Sequence, residues 1–400
     1  MKTSYIPSSP LEKFFKLDEQ ISGKDSRNEV SQRQLNCPTG HDRESWALFY
    51  DQVVTRVLEG IPSPHRHRLL DPEEVFAFWD SLSNSKGEGV DRTRECFQEL
   101  IEGAIPDNPA DLFTVPLATV PDLKVLESLS GEFPHFARAG VIDALSEALF
   151  LARAGDGTLS FDPMLLLGDP GVGKSRFFRR LAQVLGIHST FEIDCAISSA
   201  GWILAGSSST WAGSKPGEIL TLLTSYRGGL GNPLVFLDEI DKVRETRDTS
   251  PIHTLYTLLE PEGAKRFRDE FCPIRMDASR ILWIAAGNEG DLLPAPLRSR
   301  FRIFSIPTPT LGEKRDIAKG IWNELLDKPW GRHFTAFLPD SVLDPLIPLS
   351  PREMGTRLRS AAGRALARVG VRNFKAIELK AEDVCRHTES RNSKAIGFRE

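Results

Sequence analysis

The chain has 400 residues, enough for two or three domains with a sizeable core, and its composition is that of an ordinary soluble globular protein. A net charge of −5 argues against a general nucleic-acid binder, although a local basic patch is compatible with it. The five cysteines (Cys37, Cys96, Cys195, Cys272, Cys385) are dispersed without a CxxC pair, which argues against a disulfide framework or a zinc site and for a reducing compartment. The N-terminus lacks the apolar core of a signal peptide, and no apolar run approaches the ~18 residues needed to span a bilayer. The expectation is a cytoplasmic protein without a membrane partner.

Residues 1–40 are polar and broken by prolines and serines, so they are expected to be disordered or loosely attached. Trp46, Phe49, Tyr50, Val53, Val54, Val57 and Leu58 then recur at three- and four-residue steps, the spacing of an amphipathic helix. A second helix is signalled by Asp71 as N-cap and Pro72 at the first position, followed by Val75, Phe76, Phe78, Trp79 and Leu82. A third carries Cys96, Phe97, Leu100 and Ile101. Together these predict a helical N-terminal unit over 41–105. Pro106, Pro109, Pro116 and Pro121 mark 106–121 as a linker.

From 122 onward the pattern alternates. Helical stretches at 124–129 and 141–154 lead into short apolar strands at 164–167, 191–194, 234–237, 281–286 and 303–306, with helices and loops between them. Such alternation predicts an α/β domain over 122–309, a parallel sheet sandwiched by helices. Helices at 311–327, 340–347 and 351–369 make a helical part over 310–385, with a strand candidate at 376–379. Residues 386–400 read as a polar tail.

Directly after the first apolar strand comes Gly168-Asp169-Pro170-Gly171-Val172-Gly173-Lys174-Ser175, and then a helix from 177. This is the GxxxxGK[ST] loop in the strand–loop–helix context that its chemistry requires. Its glycines let the backbone wrap a triphosphate with N–H groups inward, and the helix N-terminus adds a favourable dipole. Lys174 would neutralise the β and γ oxygens, and the Ser175 hydroxyl would hold Mg²⁺. Sixty-four residues after Lys174, the run Leu234-Val235-Phe236-Leu237 delivers Asp238 and Glu239 at a strand end. Asp238 would contact the metal through its water shell, and Glu239 would polarise the attacking water. Asn288, closing the 281–286 strand, can hydrogen-bond both water and γ-phosphate. Arg300, with Arg298 as second choice, fits an arginine finger donated to a neighbouring molecule. Arg357 would let the nucleotide state set the orientation of the helical part.

In this order the motifs resemble the AAA+ ATPases, and within them the ATPase module of Lon proteases. The similarity is carried by the loop 168–175, the stretch 232–242, Leu258-Leu259-Glu260-Pro261-Glu262, Pro294-Ala295-Pro296-Leu297-Arg298-Ser299-Arg300-Phe301 and Ser350-Pro351-Arg352-Glu353-Met354-Gly355-Thr356-Arg357. It covers roughly residues 125–385. The resemblance implies ATP and Mg²⁺ as cofactors, Walker A and B motifs, the finger, a sensor 2 role for Arg357, and a lid over 310–385. It also implies a homo-oligomeric ring, six-membered by analogy, acting on a polypeptide substrate or adaptor. Ser209-Thr210-Trp211-Ala212-Gly213 is similar to the Lon loop whose aromatic residue grips polypeptide, with Trp211 as the gripping side chain, although Ser207-Ser208-Ser209 stands where Lon has a basic stretch.

Two departures remain. The first 110 residues do not match the family, and the forty-three residues after Arg357 cannot hold Lon's peptidase, so the expectation is a motor without its own protease. Two other readings stay open on sequence alone: an ATPase on nucleic acid of the clamp-loader or branch-migration kind, and a slow ATP-gated scaffold or switch.

Overall fold

A computed structural model describes residues 64–83, 90–91, 93, 113–197, 200–208, 213–224, 229–243, 251–370 and 376–385. The disorder expected at 1–40, the helices expected at 46–58 and 96–101, and the tail 386–400 lie outside these residues.

In chain order the strands are β1 (Arg66–Arg68), β2 (Thr114–Pro116), β3 (Met164–Leu167), β4 (Thr190–Asp194), β5 (Leu234–Asp238), β6 (Phe267–Arg268), β7 (Arg275–Met276), β8 (Leu282–Gly287) and β9 (Arg302–Ser305). Five of them form a parallel sheet flanked by helices, in the order β4-β5-β8-β3-β9. β5 pairs with β4 from Leu234 opposite Thr190 and with β8 from Leu234 opposite Leu282. The central strands are apolar throughout: Leu234 to Leu237 and every residue of β8 are buried. The outer strands are not, since Thr190, Glu192 and Asp194 of β4 and Arg302, Ile303 and Ser305 of β9 face outward. A strand covered on both faces must be apolar at every position, whereas an edge strand keeps a polar side. That contrast is why 234–237 and 281–286 read so plainly as buried strands.

The described chain clusters into two compact units, one drawn from residues 1–123, 145–166 and 181–303, the other from 124–144, 167–180 and 304–400. The 168–175 loop falls in the same unit as the C-terminal helices.

In the first unit, the described part of the proline-rich 106–121 segment contains β2. β2 pairs antiparallel with β1, with Arg66 opposite Pro116 and Arg68 opposite Thr114. The Pro116 carbonyl accepts the Gly231 N–H at 2.8 Å, a role that needs no N–H from proline. Beside it, the buried Asn232 side chain donates to the carbonyls of Ala118 (3.0 Å) and Leu159 (2.9 Å) and accepts the Ala118 N–H (2.7 Å). The predicted helix at 71–82 forms as Pro72–Ser83, with the Asp71 carboxylate accepting the Glu73 N–H at 2.9 Å. Glu74 in that helix pairs with Arg275 of the β6–β7 hairpin, and the Asp277 N–H donates to the Leu69 carbonyl at 2.8 Å.

In the second unit, both long helices begin with capping boxes, Thr310 with Glu313 ahead of Leu311–Leu326 and Ser350 with Glu353 ahead of Pro351–Val369. They pack through Ile317, Ile321, Trp322, Met354, Leu358 and three small alanines, Ala361, Ala362 and Ala365. Helix Leu311–Leu326 also meets Val125–Glu132 and Pro134–Arg138. Three arginine–carboxylate pairs stitch this unit together: Arg138 with Glu313 (2.8 Å), Arg176 with Glu324 (2.9 Å) and Arg180 with Glu132 (2.8 Å). The strand expected at 376–379 is absent; a single bridge joins Ile377 to Phe334. Among the described residues no helix is long and apolar enough to cross a membrane.

Asn232→Ala would strip the partner from the Ala118 N–H and the Leu159 carbonyl, each costing about 1–3 kcal/mol, while the Ala118 carbonyl keeps the Leu159 N–H at 2.8 Å. Chemical denaturation is expected to show a stability loss of at least ~2 kcal/mol, with β2 the first segment to lose protection in hydrogen exchange.

Candidate functional site

The 168–175 loop leaves β3 at Leu167 and enters the helix Lys174–Val184, so Lys174 and Ser175 stand in that helix's first turn. Its glycines answer to different demands. A Cβ on Gly168 would lie 2.7 Å from the Ile306 carbonyl oxygen, so no side chain fits there. Gly171 and Gly173 have φ of +83° and +105°, a region closed to most side chains. Lys174 Nζ donates to the carbonyl oxygens of Gly168 (2.6 Å) and Asp169 (3.3 Å). The Thr308 hydroxyl donates to the Asp169 carboxylate at 3.2 Å.

His135 is a residue that the sequence did not reveal. It is buried, and its Nε2–H donates to the Val172 carbonyl at 2.9 Å. Burial pulls its pKa down, only partly offset by the Val172 carbonyl, which keeps the imidazole neutral with the proton on Nε2. Phe136 stacks on Phe177 at 4.4 Å between ring centroids, and Phe133 meets both rings edge-on. This aromatic cluster seats the short helix Pro134–Arg138 against the helix that the loop opens.

In the other unit β5 runs directly into Asp238 and Glu239. Glu239 has φ +50°, ψ +39°, a left-handed backbone that costs a non-glycine residue about 1–3 kcal/mol. Its N–H donates to Asp238 Oδ1 at 2.9 Å, which orients that carboxylate. Asp241, also unforeseen, is buried two residues further on; its Oδ2 accepts the N–H groups of Asn288 (3.1 Å) and Glu289 (3.3 Å). A Cβ on Gly287 would lie 3.2 Å from Asp241 Oδ1, so the glycine admits this contact. Burial raises the Asp241 carboxyl, but the Asn288 N–H, the Lys242 ammonium and the Glu289 N–H together outweigh it and hold the pKa down. The turn after β5 is thereby fastened to the end of β8, and Asn288 is brought into the same cluster as the predicted carboxylates.

The two candidate finger arginines differ. Arg298 forms an ion pair with Asp291 at 2.7 Å, a pair whose acid is fully exposed. Arg300 Nη1 donates to the Pro296 carbonyl at 2.6 Å, and its guanidinium lies over the Tyr256 ring. Arg357 is half-buried, and its hydrogen bond to the Val384 carbonyl is long at 3.5 Å. The start of its helix is what meets the loop: a Cβ on Gly171 would sit 3.7 Å from Ser350 Oγ and 3.9 Å from Arg352 Cβ. Trp211 lies outside the described residues. Buried Asp269 accepts the N–H groups of Gly217 (2.8 Å) and Phe271 (2.8 Å), and burial pushes its pKa up to about 6.

Residues 164–308 match the family described as "ATPase family associated with various cellular activities (AAA)". This stretch is an AAA ATPase domain. The chain is 31% identical over 201 residues to the Lon protease of Metamycoplasma arthritidis (strain 158L3-1), covering 48% of this chain and 23% of that protein. It is 30% identical over 225 residues to the Lon protease of Orientia tsutsugamushi (strain Ikeda), covering 55% and 28%. The chain thus spans about a quarter of the length of these curated relatives. A solved structure, the S. cerevisiae Hsp104:casein complex in its extended conformation, overlays with a TM-score of 0.52 at 15% identity, over 81% of this chain and 60% of that one, a likeness of fold.

Asp241→Ala would strip the acceptor from two N–H groups at the end of β8. A loss of about 1–3 kcal/mol in unfolding free energy is expected, together with a fall in nucleotide turnover as Asn288 loses its support. Denaturation curves and phosphate release on the same preparation measure both.

Proposed function

We propose that this chain is an ATP-hydrolysing motor that remodels or unfolds a polypeptide, working as a ring of like subunits. The observation that carries the reading is the 168–175 loop itself, with glycines at the positions where only glycine fits, opening a helix with Lys174 and Ser175 in its first turn. That arrangement suits a triphosphate: backbone N–H groups and a helix N-terminus for the oxygens, and the Lys174 ammonium for their charge.

Mg²⁺ would be held by Ser175 and Asp238 along with the phosphates, where it would offset negative charge. Its fit rests on the donor set, a hydroxyl at the helix start and a carboxylate steadied by the Glu239 N–H. Among the described residues no group of three or more His, Cys, Asp or Glu side chains could hold a metal unaided, which suits an ion that arrives with its phosphates. Glu239 orients and takes the proton of the attacking water, and Asn288 holds that water from β8. Arg300 serves as the finger toward a neighbouring subunit, its case strengthened by the engagement of Arg298 with Asp291. Arg357 senses the nucleotide from the helical part, and Trp211 grips the polypeptide. The polypeptide as substrate class is supported by the Lon relatives, proteins whose name states that they act on protein.

Lys174→Ala is expected to weaken ATP binding roughly 10- to 100-fold, the worth of one charge-assisted contact to phosphate. Titration with a fluorescent ATP analogue reads this directly, and an unchanged Kd would remove Lys174 from the site. Glu239→Gln is expected to bind ATP within a few-fold of the wild type while phosphate release drops by about 100-fold or more. Wild-type turnover in that variant would contradict the role given to Glu239.

A further inference from the structure

Arg300 is half-buried and held in an unusual way. An unrestrained arginine samples many rotamers, and fixing it for one phosphate contact costs side-chain entropy each time. Here two restraints act before any phosphate arrives. Nη1 is tied to the Pro296 carbonyl at 2.6 Å, one turn earlier in the chain. The guanidinium carbon lies 5.2 Å from the centre of the Tyr256 ring, on the helix Pro251–Leu258, and Nε is shielded from solvent with no hydrogen-bond acceptor. The ring face is thus the group that compensates the buried side of the cation, and an aromatic face does so without using an N–H. Nη2 makes no hydrogen bond among the described residues, so the outer edge of the fork keeps its donors for an incoming oxyanion. His253, one turn before Tyr256, meets that ring edge-on at 6.3 Å and steadies it.

We propose that Tyr256 is the positioning residue of the finger: its ring face presets the Arg300 guanidinium for the γ-phosphate bound by a neighbouring subunit. The inference rests on the reading of Arg300 as a finger given in trans. Tyr256 would act through Arg300, so its effect should fall on turnover and not on ATP binding.

The test uses the full-length protein and steady-state ATP hydrolysis. Tyr256→Leu keeps apolar bulk and removes the π face; kcat is expected to fall about 3- to 30-fold with KM for ATP within about twofold. Tyr256→Phe keeps the face and is expected to restore most of the rate. Thermal melts of both variants, and their oligomeric state by sedimentation, should match the wild type. A Tyr256→Leu enzyme with undiminished kcat, beside an Arg300→Ala enzyme that has lost turnover, would overturn the role of Tyr256 and leave the finger intact. Failure of Tyr256→Phe to restore the rate would also overturn it. Full turnover in Arg300→Ala would instead overturn the finger itself, and this inference with it.

Discussion

A loop can cradle phosphates only if its own carbonyl oxygens are occupied elsewhere and its N–H groups are left to point inward. In this chain three carbonyls of the 168–175 loop are taken up by side chains. Gly168 and Asp169 are satisfied by the Lys174 ammonium, and Val172 by the neutral His135 imidazole. The positive φ of Gly171 and Gly173 turns the intervening peptide planes the other way. Much else in that unit serves this loop. The Phe133–Phe136–Phe177 cluster seats the histidine, and the Arg138–Glu313 pair anchors the histidine's helix. Thr308, whose carbonyl also accepts from Arg138, steadies Asp169.

A second organising device repeats around the carboxylate end of β5. Asp238 is steadied by the N–H of its own neighbour, and Asp241 by the N–H groups that follow β8. In both places backbone N–H groups hold the carboxylate, and at Asp241 the Lys242 ammonium adds a cation at 3.2 Å.

How much of this was legible in advance follows the range of the interactions. The strands at 164–167 and 234–237, the Asp71 cap and the helix at 351–369 are written in contiguous residues, and they formed where local pattern placed them. The glycine loop was legible because backbone geometry there is fixed by residue type alone. His135, Asp241, Asn232 and Tyr256 were not, because their partners lie tens of residues away or more and nothing in the local pattern names them. One local signal misled for a physical reason. The alternation at 376–379 reported burial of Ile377 and Leu379, which the packing of helices supplies without a second strand.

Glu239 occupies a backbone conformation that glycine or asparagine would adopt at lower cost, and it is exposed, so packing gains nothing from its length. Stability alone would favour its replacement, and the catalytic role proposed for it is what would oppose that. In a lineage that ceased to need turnover, this is where drift toward a smaller residue would begin, leaving the fold sounder and the machine idle.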